Sequence, residues 1–320
     1  MQIKRLVIEN FKSIERIELI EPNPFTVFVG PNGSGKSNIF EALEFMYLAN
    51  ATNDLVEDLF GGQEGFLNRR SISNSVAVGV DLGGVTARFV YDTKNEEIEI
   101  GGKVDSNATF SGNFKALDKF LENFSRLFIK NTPLQKLSLN NNKRLSLAAS
   151  NLEKVLKRIL SNDVLKREIF EWLEIFVPSF KAVEIDDRDE LHWFETAHRK
   201  YFTKDLISDG TYNILALLTA VFQSEEPQFL CIEEPENGLN PKVTRELVHL
   251  FRFACEEYGH YIWLNTHSQS LVSVLTPEEI ILVDKVDGAT KTKQVAGMNL
   301  HGLPMDEAWL SNALGGGIPW

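Results

Sequence analysis

Eight residues restrict this chain more than any other stretch: Gly30-Pro31-Asn32-Gly33-Ser34-Gly35-Lys36-Ser37 fits the phosphate-binding spacing G-x-x-x-x-G-K-[ST]. The apolar run Phe25 to Val29 precedes it, and Ser37-Asn38-Ile39-Phe40-Glu41-Ala42-Leu43 opens a helix behind it. That is the strand, loop and helix order such a loop requires. Glycines let backbone N–H groups converge on a phosphate chain, and the helix N-terminus adds partial positive charge there. The expected nucleotide-binding residues are therefore Gly30, Asn32, Gly33, Ser34, Gly35, Lys36, Ser37 and Asn38. Lys36 supplies a full charge to the outer phosphates of a triphosphate, and Ser37 a hydroxyl ligand to Mg²⁺.

A second constellation ends the apolar run Gln228 to Ile232 with Glu233-Glu234-Pro235. Two carboxylates directly behind a buried strand are costly unless a cation or a water meets them. Glu233 is accordingly expected in the metal shell, and Glu234 as the group that polarises the attacking water. Behind the apolar run Tyr261 to Leu264 comes Asn265-Thr266-His267-Ser268, which places an imidazole at the carboxyl end of a strand. Open α/β sheets bind ligands there, so His267 is expected to sense the γ-phosphate, with a purely structural histidine as the plain alternative.

The surrounding elements suit a large α/β domain. Runs from Ser75 to Val80, Val85 to Tyr91 and Glu97 to Ile100 alternate or are β-branched, between Gly-Gly and Thr-Lys-Asn turns. Lys181 to Ile185 and Glu190 to Phe194 form a hairpin pattern across Asp186-Asp187-Arg188-Asp189, and Ile214 to Phe222 is apolar all round, as a buried helix would be. Asn240 followed by Pro241 has the chemistry of a helix cap and first helical position. Residues 114–170 carry twelve basic side chains against five acidic ones, a balance of +7 in a chain whose net charge is −12. Leu152, Val155, Leu156, Ile159 and Leu160, continued by Leu165, Ile169, Trp172 and Leu173, repeat there at helical spacing. The expectation is a basic helical insert over 114–180, between an N-terminal lobe 1–113 and a C-terminal lobe 181–320. Interrupted by Leu139-Asn140-Asn141-Asn142, it is too short for a long coiled coil. Lys154, Lys157, Arg158, Lys166 and Arg167 could track a nucleic-acid backbone, or serve only as a solvated face.

The order of the motifs discriminates further. Glu233 follows Lys36 by nearly two hundred residues, and Leu206-Ile207-Ser208-Asp209-Gly210-Thr211 stands shortly before Glu233, just ahead of the buried helix. With Ile8-Glu9-Asn10-Phe11-Lys12-Ser13, Ile232 to Pro241, Thr266-His267-Ser268 and the tail Ala308 to Gly317, these residues resemble the ABC-type ATPase heads of chromosome-maintenance and double-strand-break-repair proteins. They are most similar to the small bacterial "AAA" ATPases of ABC type that accompany phage-defence systems, including the ATPase half of OLD-type nucleases. Ser-Asp-Gly departs from the Ser-Gly-Gly of transporters, and Glu233 replaces an aspartate, both as in this soluble branch. Gln63, in Gly61-Gly62-Gln63-Glu64-Gly65, is the candidate for the glutamine loop.

The resemblance implies a P-loop NTPase of ABC-head type: an α/β fold with a mixed-sheet core, an N-terminal antiparallel β subdomain and a helical insert. It implies a homodimer closed across ATP and Mg²⁺, each nucleotide lying between the phosphate loop of one protomer and Ser208, Asp209 and Gly210 of the other. Lys36, Glu234 and His267 would carry the hydrolysis. The expected output is regulation of a separate effector, a nuclease or toxin, in bacterial anti-phage defence. A DNA-repair or maintenance ATPase, and a non-hydrolysing scaffold that cages a toxic partner, are the alternatives. Fifty-three residues follow His267, too few for the nuclease domain of OLD-type proteins, so the effector is expected on another chain. Trp309, the Gly315-Gly316-Gly317 run and Trp320 are expected to dock on a partner or on the sister protomer, with packing on their own domain as the alternative. Cys231 and Cys255 form no C-x-x-C pair and no run approaches eighteen apolar residues, so a cytoplasmic protein without zinc, leader or membrane span is expected.

Overall fold

The computed structural model describes residues 2–52, 56–94, 97–104, 117–129 and 143–318. Leu139 to Asn142, Lys115, Lys130, Lys136 and Trp320 lie outside the described residues.

Period-2 patterning in the N-terminal third produces a five-stranded antiparallel sheet: β1 (Arg5–Phe11), β2 (Ile14–Ile20), β4 (Ser75–Asp81), β5 (Val85–Asp92) and β6 (Glu97–Val104), in the order β2-β1-β4-β5-β6. β5 shows why one face is covered, since Val85, Ala87, Phe89 and Tyr91 are buried while Thr86 and Arg88 are exposed. The second sheet has six strands in the order β13-β12-β3-β11-β10-β7. Its members are β3 (Phe25–Val29), β7 (Phe124–Leu127), β10 (Phe229–Glu233), β11 (Tyr261–Thr266), β12 (Ile280–Val286) and β13 (Ala289–Gln294). All pair in parallel except β13, which turns back on β12. Every residue of β3, β10 and β11 is buried, the signature of strands covered on both faces.

Two cores follow from that double coverage. Phe28, Phe229, Cys231 and Trp263 face the helix Lys36–Thr52, whose Ile39, Phe40, Leu43 and Met46 lie between the six-stranded sheet and Leu6, Ile8 and Val78 of the antiparallel sheet. Phe25, Val27 and Val29 face the other way, towards the helices Leu152–Leu160, Asp209–Phe222 and Pro241–Glu257. Gln294 joins the sheets at one edge, accepting from Ile20 N at 2.9 Å and donating to Ile20 O at 2.8 Å. A separate hairpin of β8 (Phe180–Ile185) and β9 (Leu191–Glu195) buries Val183 and Trp193.

The expected capping is present. Asn240 Oδ1 accepts from Lys242 N and Val243 N, with Pro241 at the first helical position, and Ile214 through Phe222 are all buried. The 114–180 segment differs from an all-helical insert, because Phe124–Leu127 is the edge strand of the six-stranded sheet. Four residues are too few to display a period. The helices Leu152–Leu160 and Asp163–Phe176 are built as expected, and their apolar faces join the main core.

Several of the basic side chains counted there are committed internally. Lys157 donates to Asp186 O and Asp189 Oδ1, Arg158 to Lys143 O and Gln223 O, and Arg144 to Phe124 O and Asn123 Oδ1. The tail is also settled locally. Trp309 is fully buried and donates to Gly317 O at 2.5 Å, while Gly317 N donates to Asp284 Oδ2 at 2.7 Å. Trp309 thus packs on its own domain, against the strand pair that flanks the phosphate loop. Gly317, at φ +69°, runs so close that a Cβ there would stand 3.0 Å from Val29 O.

His260 gives the fold a pH dependence. Only 1 % exposed, it receives Gln228 N on Nδ1 and donates from Nε2 to Val221 O, so a second proton would meet another donor. Burial depresses its pKa to about 4, with the Val221 bond opposing. The unfolded chain binds this proton more readily, so the stability is present above about pH 6.5 and is lost as pH falls towards 4. Between about pH 7 and pH 4.5 the loss is about 2 kcal/mol. Urea unfolding of the native chain and of His260→Phe at both pH values should differ in pH dependence by that amount.

Candidate functional site

The phosphate loop emerges from β3 and is braced from the antiparallel side. Ser13 Oγ lies 2.6 Å from Thr290 Oγ1, Asn38 Nδ2 donates to Ser13 Oγ at 2.7 Å, and Thr290 Oγ1 donates to Ser34 O at 2.9 Å. Asn38, expected at the nucleotide, instead ties the loop's helix to Phe11-Lys12-Ser13. Gly35 is required twice over: its φ is +99°, and a Cβ would stand 2.0 Å from Thr290 Oγ1. Asn32 and Gly33 are exposed at the tip, whereas Ser34 is buried with an Oγ that has no partner among the described residues. Lys36 Nζ reaches back to Gly30 O at 2.7 Å and Pro31 O at 2.9 Å. Its burial lowers its pKa, against the opposing pull of Glu234, Glu236 and Glu233.

The carboxylates arrive from β10, whose partner in register is β11. Glu233 stands opposite Asn265, and Ser37 Oγ donates to Glu233 Oε2 at 2.5 Å. Asn265 Nδ2 donates to the same oxygen at 3.2 Å. Glu234 leaves the strand at φ +46°, a left-handed backbone that costs a non-glycine residue about 1 kcal/mol. Its N–H is held by Asn265 O at 3.0 Å and Asn265 Oδ1 at 3.1 Å, and Asn237 Nδ2 donates to its Oε2 at 3.0 Å. His267 Nδ1 lies 3.7 Å from Glu234 Oε1, with the imidazole exposed. Glu236, next along, accepts from Thr266 Oγ1 at 2.5 Å. Burial raises its pKa.

Lys36, Ser37, Glu233, Glu234 and His267 therefore converge on one place. Ser208, Asp209 and Gly210 lie elsewhere, at the N-terminus of the buried helix, where Ser208 Oγ accepts from Thr211 N. Ser208 and Asp209 are exposed. Their neighbours are in the 237–239 segment: a Cβ on Gly210 would meet Gly238 O at 2.6 Å, and Asn213 Nδ2 donates to Asn237 O at 2.8 Å. Gln63 is spent on the antiparallel subdomain, donating to Thr93 O at 3.0 Å.

Two further site residues have no role assigned to them by the sequence motifs, although Asn265 stands at the head of the Asn265-Thr266-His267-Ser268 stretch. Asn265 holds both glutamates, and only the parallel register places it there. Arg126, counted among the basic side chains of the 114–170 segment, has a side chain 5 % exposed and pairs with Glu233, Glu44 and Glu41. Burial disfavours its charge, but Glu44, Glu233 and Glu41 together raise its pKa above the ordinary value. One signal was available, since a lone arginine inside the apolar run Phe124 to Ile129 needs a buried anion.

Comparison with known proteins gives concordant results. Residues 25–273 match the family model described as "AAA domain, putative AbiEii toxin, Type IV TA system". The Chromosome partition protein Smc of Methanocaldococcus jannaschii is 40 % identical over 60 residues, 19 % of this chain and 5 % of that protein. The DNA double-strand break repair Rad50 ATPase of Methanococcus maripaludis is 30 % identical over 128 residues, 38 % of this chain and 12 % of that protein. The matched segments are thus a small part of these relatives' length. Among solved structures, the SmcHead bound to the C-winged helix domain of ScpA superposes with a TM-score of 0.64 at 16 % identity, covering 96 % of this chain and 99 % of that one. The SMC head domain from Thermotoga maritima gives a TM-score of 0.54 at 16 % identity, over 92 % and 99 %.

Proposed function

The chain belongs to the family of AAA domains described as "putative AbiEii toxin, Type IV TA system", within the SMC- and Rad50-like ABC-type ATPases, and on that premise we propose that it is a Mg²⁺-dependent ATPase whose dimer closes around ATP. The observation that carries this is the 2.5 Å contact between Ser37 Oγ, from the phosphate loop, and Glu233 Oε2, with Glu234 the next residue. A hydroxyl and a carboxylate are hard oxygen donors of the kind Mg²⁺ takes. When bound, Mg²⁺ would neutralise charge on the β- and γ-phosphates.

The chain's own groups divide the remaining work. Backbone N–H groups of Gly33 to Lys36 and the Lys36 ammonium hold the phosphates, and Ser37 and Glu233 hold the metal ion. Glu234, fixed by Asn265 and Asn237, orients water and accepts its proton; His267 stands beside it to meet the γ-phosphate. Ser208, Asp209 and Gly210 present an exposed helix N-terminus with a small hydroxyl, suited to covering the γ-phosphate of a second protomer. ATP then stabilises the closed dimer through its differential affinity, and hydrolysis removes that preference.

We assign the output of this cycle to control of a separate effector, a nuclease or toxin, in defence against phage. The family description, which names a toxin of a toxin–antitoxin system, supports that direction. The Smc and Rad50 relatives support a maintenance or repair role instead, which would require DNA binding. Lys157 and Arg158 are poor probes of it because their heads hold the fold together. Salt-sensitive DNA binding lost on reversing the exposed Lys154 and Arg167 would favour that second reading. No helix among the described residues is long and apolar enough to cross a membrane.

Gly35→Ala tests the nucleotide reading itself. The added methyl must displace Thr290 Oγ1 and adopt a φ that alanine avoids, so ATP affinity should fall at least about tenfold with the fold retained. Titration with a fluorescent ATP analogue, alongside a turnover assay with and without Mg²⁺, measures this. A native chain that neither binds nor hydrolyses ATP overturns the reading, and tight binding with negligible turnover selects the caging scaffold.

A further inference from the structure

Arg126 stands on β7 opposite Cys231, one step of the same face short of Glu233 on the adjoining strand. Its guanidinium meets three carboxylates. Nε donates to Glu233 Oε1 at 2.7 Å and Nη2 to the same oxygen; Nη1 donates to Glu44, and Nη2 lies 3.4 Å from Glu41 Oε1. Glu41 and Glu44 both belong to the helix that starts at Lys36, so one arginine ties the phosphate-loop helix to the acidic strand. Glu41 also pairs with Lys12, which extends the chain of charges to Phe11-Lys12-Ser13.

The two oxygens of Glu233 are thereby divided. Oε1 is held by the guanidinium, whereas Oε2 is turned towards Ser37 at 2.5 Å and Asn265 at 3.2 Å. Without the arginine, Glu233 and Glu44 would lose the cation that both meet, while Glu41 would keep Lys12, and the excess of carboxylate oxygen left beside Glu233 would favour a hard divalent cation. The geometry points to Arg126 as a positioning residue that fills the inner side of this cluster as an internal cation, leaving Glu233 one oxygen for the metal ion that arrives with the nucleotide. The ion then binds well only when phosphate oxygens complete its shell, so the site is kept from loading with metal alone. This rests on Glu233 being the metal ligand of the proposed ATPase.

Mn²⁺ titration of the native chain, followed by electron paramagnetic resonance of the free ion, tests the inference without turnover. In the absence of nucleotide, the native protein and Arg126→Lys should bind Mn²⁺ weakly. Arg126→Met, which keeps bulk and loses charge, should bind it roughly tenfold or more tightly, and adding Glu233→Gln should abolish the gain. An Arg126→Met protein with native circular dichroism and melting but unchanged nucleotide-free affinity overturns the assignment. Should Arg126→Met fail to fold, Glu44→Gln decides. Removal of one anion leaves Arg126 leaning on Glu233, so Mn²⁺ affinity with a non-hydrolysable ATP analogue should drop several-fold, and an unchanged value overturns the inference. Failure of the native chain to bind ATP would sink the ATPase reading, while the nucleotide-free comparison would still test Arg126 independently.

Discussion

Glu234→Gln should abolish steady ATP turnover, lowering kcat by about 10²–10⁴-fold, while the protein accumulates as an ATP-bound dimer. The amide keeps the size of the side chain, and its oxygen can still accept from Asn237 Nδ2, so the nucleotide contacts proposed for Lys36, Ser37 and Glu233 should be left intact. What is lost is the acceptance of a proton, together with the negative charge that faces Lys36 and His267. Because the backbone of Glu234 is pinned at φ +46° by Asn265, the substituted side chain has little freedom to be replaced by Glu236, whose Oε1 is engaged by Thr266. Phosphate release measured with light scattering of the same samples reads both effects. Unchanged turnover would remove Glu234 from the mechanism, and turnover lost with no ATP-dependent dimer would separate hydrolysis from assembly.

Mixing two inactive variants should restore activity. Lys36→Ala removes the cation that the proposed site offers to the outer phosphates, and Ser208→Arg places a bulky cation on the exposed helix N-terminus that the proposed dimer would turn towards the second protomer. Each alone should be inactive, since both sites of its dimer carry the same defect. In a symmetric dimer a mixed pair contains one site with both defects and one with neither, so equal mixing returns about a quarter of native turnover. A single-chain site would give no rescue at all. Ser208 also caps its helix through Thr211 N, so Ser208→Arg costs about 1 kcal/mol of stability, a loss that the mixed sample shares and that therefore cannot counterfeit rescue.

The placement of the candidate site groups was legible wherever it is written locally. The phosphate loop, the Glu233-Glu234 pair and the Thr266-His267-Ser268 strand end are short stretches whose meaning depends on adjacent residues. The Asn240-Pro241 cap and the buried Ile214 to Phe222 helix are local in the same sense, and the structure has them where the patterns put them. The division of the basic 114–170 segment was not legible, because charge counting treats Arg126, buried against three glutamates, like exposed Lys154. Trp309 was equally ambiguous in sequence, since burial against a partner and burial in its own domain, beside Gly317, demand the same side chain.

By itself the sequence determined the kinds of groups present and the elements that carry them, since glycine spacing, apolar periodicity and capping act over a few residues. Which carboxylate meets which cation was decided only by the tertiary structure. Parallel pairing aligns Cys231 with Arg126 and Glu233 with Asn265, partners that lie far apart in the chain. A register of that kind is set by both faces of the sheet being buried at once, a condition no single segment contains.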